Sequence, residues 1–118
     1  MSKKTVIRTD GAPAPFQGAP YSQAIAAGGF VFVSGQLGLK PGDTAIGGGI
    51  EEQTEQVFAN LQAILEEAGS GLDRLVKTTV FLEQLVAHSA THEIGVQPER
   101  AHVVLDLLAH AAIVAAAL

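Results

Sequence analysis

The clearest periodicity in the chain begins at Ile50. Val57, Leu61, Ile64 and Leu65 recur at helical spacing, with Glu51, Glu52 and Glu55 early in the segment. Acidic side chains suit the positive end of a helix, and Gly69 directly after Ala68 is a natural stop. An amphipathic helix is therefore predicted over Glu51–Ala68. On either side the pattern is that of strands. Phe30-Val31-Phe32-Val33 is a short β-branched and aromatic run bounded by Gly28-Gly29 and Gly35, and it reads as a buried strand. From Leu75 to Leu82, Val76, Thr78, Val80 and Leu82 alternate with Lys77, Thr79 and Phe81, which suits a second strand. Lys40 to Gly49, with Pro41-Gly42-Asp43 and Gly47-Gly48-Gly49, reads as a loop with a tight turn. Gly11, Pro13, Pro15, Gly18 and Pro20 make residues 10–20 an extended, turn-rich opening segment. The order strand, loop, helix, strand implies an α+β or βαβ arrangement with the helix packed on one sheet face.

Beyond Leu85 the patterns weaken. Val86 to Val96 has slight helical character ended by Gly95 and Pro98, and Val103 to Leu108 suits a strand. Ala109 to Leu118 is alanine-rich and free of turn residues, which on propensity alone favours helix, but the sequence leaves strand or helix open there. The apolar stretch Ala101–Leu118 is not read as a membrane span. Alanine drives insertion weakly, and His102, Asp106 and His110 interrupt the run.

Composition narrows the class. A chain of 118 residues fits a single domain, residues 1–118. Hydrophobic residues make up 47% and charged residues 16%, the opposite of a disordered composition and little charge to cover a monomer's surface. Part of that surface is expected to be buried between subunits. Net charge is −5 with no basic run beyond Lys3-Lys4, so no groove for tracking phosphates is visible and nucleic acid is a poor partner. The absence of cysteine removes disulfides, thiolate nucleophiles and zinc-thiolate sites. Val6-Ile7 is followed at once by Arg8, Asp10 and prolines, which leaves no secretory core, and a soluble, cytoplasmic protein is expected.

Four blocks then carry a family resemblance: Gly18-Ala19-Pro20-Tyr21-Ser22-Gln23-Ala24, Val33-Ser34-Gly35-Gln36, Asn60-Leu61-Gln62-Ala63-Ile64-Leu65 and Val76-Lys77-Thr78-Thr79-Val80-Phe81-Leu82. Glu66-Glu67-Ala68-Gly69 also fits. In order and spacing, from the N-terminus through Leu85, the chain resembles the RidA/YjgF imine/enamine deaminase family. The resemblance implies an α+β, chorismate-mutase-like fold: a mixed sheet with two helices on one face. It further implies a homotrimer with a barrel-like core and active clefts between neighbouring subunits. The implied reaction is hydrolysis of reactive 2-imino or 2-enamino acids to 2-keto acids and ammonia, with no metal or organic cofactor.

The implied site needs few parts. A 2-imino acid or 2-keto acid ligand carries a carboxylate, which calls for a guanidinium clamp. The family's Pro-x-Arg context matches Pro98-Glu99-Arg100, making Arg100 the carboxylate ligand and the catalytic residue. Backbone donors around Ser34 and Gly35 would hold the imine end, and Tyr21 would form a cleft wall. A water would then attack the imine carbon, a step for which positioning and charge stabilisation suffice.

The chain departs from the family after Leu85. Only Val86 to Gln97 stands where relatives have a longer second helix, and the usual terminal carboxylate, thought to position the attacking water, is missing after Asp106. Three explanations stay open. The chain is a non-catalytic or altered-specificity member, Asp106 or a histidine substitutes, or a frameshift alters the sequence in this region.

Each candidate also has a plainer reading. Arg100 beside Glu99 fits an ordinary surface pair, Tyr21 a packing residue, and Ser34 a strand-end hydroxyl. No Ser/His/Asp spacing makes Ser34 a nucleophile. Lys77-Thr78-Thr79 suits sheet packing better than catalysis. His88 and His92, four apart and followed by Glu93, lack the zinc-protease order and read as solvated helix residues, although His92 falls where relatives often carry a substrate-facing Asn. Gly47-Gly48-Gly49 lacks the Lys-Ser/Thr of a phosphate loop. The rival functions are a trimer that binds small carboxylates or regulates a partner, and RNA cleavage, which the acidic balance opposes.

Overall fold

The computed structural model describes residues 3–15, 19–82 and 109–118. Five strands, β1 (Thr5–Ile7), β2 (Ala24–Ala27), β3 (Phe30–Gln36), β4 (Leu75–Leu82) and β5 (Ala109–Ala117), form one sheet in the order β1-β2-β3-β5-β4. Each neighbouring pair in it is antiparallel. β3 and β4 both run opposite to β5 and are therefore parallel to each other. The chain crosses from one to the other through helix α1 (Ile50–Glu67) and a short 3-10 turn (Leu72–Arg74), leaving a gap that β5 fills. This is the expected α+β architecture with a helix on the sheet. The expected second helix, the segments Val86–Val96 and Val103–Leu108, and the side chains of His88, His92, Arg100 and Asp106 lie outside the described residues.

α1 forms where the heptad-like spacing placed it, shifted by one residue. Its apolar stripe of Val57, Leu61, Ile64 and Leu65 packs on Ile7, Ala24, Val31, Val33 and Ala116 of the sheet. Burial of each large side chain in that stripe is worth about 1.5–3 kcal/mol. The helix ends at Gly69, whose φ of 84° only glycine adopts readily. There Gly69 N–H donates to Glu66 O (3.0 Å) and Ser70 N–H to Leu65 O (2.8 Å). The Ser70 hydroxyl then donates to the Ala117 carbonyl, joining the helix end to β5.

One open question is settled and one reading corrected. The alanine-rich tail, which the sequence leaves open between helix and strand, forms strand over Ala109–Ala117 despite a propensity that favours helix. Lying between β3 and β4, it completes two hydrogen-bond ladders that a helix would leave open, and this tertiary pairing outweighs local preference. Phe30–Val33 is not buried on both faces. Val31 and Val33 sit under α1, whereas Phe30 and Phe32 face outward with 41% and 52% exposure, because no element of the described chain covers that side. Among the described residues, no helix is long and apolar enough to cross a membrane.

Candidate functional site

A pocket opens where the opening segment, the residues before β2 and the strand-to-loop junction after β3 converge. Pro13, Ala14, Tyr21, Gly35, Leu37 and Leu39 line it, and its cavity volume is about 30 Å³. That is room for one or two waters. A wider, shallower cleft adjoins it, sharing Ala14 and Tyr21 and bordered by Arg8, Asp10 and Pro41.

Buried amides hold both walls. Gln23, 2% exposed, lies at the start of β2 and reaches back to the opening segment. Its Nε2 donates to the carbonyls of Thr9 (3.0 Å), Ala12 (3.2 Å) and Pro13 (2.9 Å). Its Oε1 accepts from Thr9 N–H at 2.7 Å, so both ends of the amide are engaged. Across the pocket Asn60, fully buried on the apolar stripe of α1, donates through Nδ2 to the carbonyls of Leu37 (3.0 Å) and Leu39 (2.9 Å). Its Oδ1 accepts from Gln56 Nε2 at 2.9 Å. Gly38 lies between those two carbonyls against the helix backbone, where a Cβ would come within 2.8 Å of the Gln53 Cα. Glycine is required there by the close approach. No buried side-chain nitrogen or oxygen among the described residues lacks a hydrogen-bond partner.

Of the residues predicted from sequence, Tyr21 and Gly35 come together in the pocket, with Tyr21 42% exposed. Ser34, adjacent to Gly35, is half-buried, and its N–H and its hydroxyl both donate to the Gln23 carbonyl at 3.0 Å. These two bonds fasten β3 to the start of β2. Arg100 lies outside the described residues. Lys77 stands on β4 opposite Ala115, exposed, away from the pocket residues. Among the described residues no cluster of three His, Cys, Asp or Glu could hold a metal ion.

Gln23 and Asn60 were not singled out from the sequence. A signal for Asn60 was present: positions 57, 60, 61 and 64 share one helix face, so a lone amide sits in an apolar stripe and must find partners. Gln23 has no comparable periodic signal.

The family model for Endoribonuclease L-PSP matches residues 11–116, spanning the stretch after Leu85. A RutC family protein of Synechocystis is 47% identical over 91 residues, covering 75% of this chain and 68% of its own. The chloroplastic Reactive Intermediate Deaminase A of Arabidopsis thaliana is 44% identical over 94 residues, covering 78% of this chain and 49% of its own. The crystal structure of yeast Mmf1 superposes with a TM-score of 0.73 at 34% identity, covering 98% of each chain. The chain belongs to the Endoribonuclease L-PSP family, the RidA/YjgF proteins, which includes reactive intermediate deaminases.

Proposed function

We propose that this chain hydrolyses small reactive 2-imino or 2-enamino acids to 2-keto acids and ammonia, as a cytoplasmic homotrimer without metal or organic cofactor. The observation that carries the reading is the convergence of Tyr21 and Gly35, from separate sequence blocks, on one pocket in a family with a named deaminase 44% identical to this chain. Arg100 binds the substrate carboxylate, Tyr21 walls the cleft, and the backbone about Ser34 and Gly35 faces the imine end. Water adds to the imine carbon to give a tetrahedral aminol. Its carbon–nitrogen bond then breaks, with nitrogen leaving as ammonia and oxygen becoming the keto group. Because the imine carbon is already electrophilic, orientation and charge stabilisation supply most of what the step needs.

The trimer is supported by the open face of the sheet. Val6, Ile25, Phe32 and Ala115 are register partners across β1, β2, β3 and β5, and Val6 and Phe32 are 50% and 52% exposed in the single chain. A contiguous exposed apolar face of this kind marks an interaction surface, and a second copy of the chain offers a matching one. The pocket of one chain is also small for a substrate, which fits a cleft completed by a neighbour. The test is keto-acid release from 2-iminobutanoate, set against the rate in free solution, together with the mass in solution. Acceleration by a trimer supports the reading, and a monomer or an unaccelerated reaction refutes it.

A second reading has its own observation. No carboxylate follows Asp106, which favours a trimer that binds small carboxylates without turning them over. Binding of 2-ketobutanoate with no turnover would establish it. The net charge of −5 weighs against RNA as the substrate.

A further inference from the structure

The pocket's two walls are not held by the elements that form them. Pro13 and Ala14 lie in a segment with no ladder of its own, and Leu37 and Leu39 lie past the end of β3. Chain of this kind drifts unless it is tied down. Each wall is tied by one buried side-chain amide that itself comes from another place in the fold: Gln23 from β2's leading end, Asn60 from the middle of α1. We propose that Gln23 and Asn60 are positioning residues for the site, two amide clasps that set the separation of the pocket walls on either side of Tyr21.

The chemistry of the clasp is specific to an amide. On Gln23 three carbonyls share the two N–H groups of Nε2 while Oε1 takes a backbone N–H, so the side chain must donate at one end and accept at the other. Asn60 divides its roles in the same way, donating to Leu37 and Leu39 and accepting from Gln56. A carboxylate of the same shape keeps the acceptor and loses the donor, placing negative charge against carbonyl oxygens. The wall would then move away. Gln23 does a second thing at the same point, since its backbone carbonyl receives both donors of Ser34 and so links the moving wall to the strand that ends at Gly35.

This inference rests on the deaminase reading for its kinetic consequence but not for its geometry, and the sequence offers a way to separate the two. Tyr21 is the single tyrosine and the chain has no tryptophan, so tyrosine fluorescence reports this pocket alone. Gln23→Glu, Asn60→Asp and the milder Gln56→Leu, which removes only the bond to Asn60 Oδ1, are compared with wild type and with Gln62→Ala. The Gln62 change breaks a surface bond to Glu66 elsewhere on the helix.

The clasp variants are expected to raise KM for 2-iminobutanoate roughly tenfold while kcat is largely kept, with Gln56→Leu smaller in the same direction. Acrylamide quenching of Tyr21 rises in parallel, and Gln62→Ala matches wild type in both. A merely structural role would lower the folded fraction, reducing apparent kcat with KM unchanged, and that result overturns the proposal. So does wild-type quenching in folded Gln23→Glu and Asn60→Asp proteins. If either fails to fold, Gln56→Leu decides by the same two readouts. If wild type itself turns over no imine, the deaminase reading fails while Tyr21 quenching still decides the clasp.

Discussion

The two faces of β3 differ in what covers them. Val31 and Val33 are 0% and 2% exposed beneath α1, and Phe30 and Phe32, alternating with them on the same strand, are 41% and 52% exposed. Both faces are apolar, yet the described chain closes only one. The helix-covered face carries the core of the subunit, and the open face is the surface on which the proposed trimer would associate. A chain with only 16% charged residues has little with which to cover a second face, so its surface is consistent with being shared between subunits.

The largest expected effect lies on the closed face. Leu61, 1% exposed on the core-facing side of α1, is replaced by alanine in a Leu61→Ala protein with a loss of about 2–5 kcal/mol, read from the urea midpoint. A loss below about 1 kcal/mol would mean that the helix is not packed as described. The open face behaves in the opposite way. Phe32→Asp is expected to leave the far-UV circular dichroism of the subunit intact, with a folding change of about 0.5 kcal/mol or less. Light scattering should report the mass of one chain in place of three. A trimer that survives this substitution would place the interface elsewhere. The smallest effect is at the helix start, where Gly49 is the cap with extended backbone, no side-chain hydrogen bond and open space at its Cβ position. Gly49→Ser is expected to stabilise the subunit by about 0.5 kcal/mol, visible as a small rise in melting temperature without any change in mass.

The elements that pattern alone could find are those whose side chains segregate by face. α1 was legible in the spacing of Val57, Leu61 and Ile64, because one face of it lies against the core, and β4 in the alternation from Leu75 to Leu82. β1 and β2 were not, since Thr5–Ile7 is short and Ala24–Ala27 has a composition that favours helix. β5 stayed open between helix and strand for the same reason, its conformation being imposed by the two strands beside it. The alternation in β3 was visible as residue types but not as exposure, because valine and phenylalanine are equally apolar and only the layers decide which is covered. At the site, Tyr21 and Gly35 were found through resemblance, whereas the roles of Gln23 and Asn60 became visible only with their backbone partners, which lie 10 to 14 and 21 to 23 residues away in sequence, although Asn60 had left a signal as a lone amide in an apolar stripe.

The most direct test of the deaminase reading is a coupled assay of keto-acid release from 2-iminobutanoate by wild type and by Arg100→Ala. The account predicts release faster than in free solution for wild type, and a loss of roughly a hundredfold or more on substitution, because the substrate carboxylate would lose its proposed charge-assisted clamp. Wild-type release no faster than the uncatalysed rate, with 2-ketobutanoate still bound, would contradict it and leave a carboxylate-binding trimer in its place.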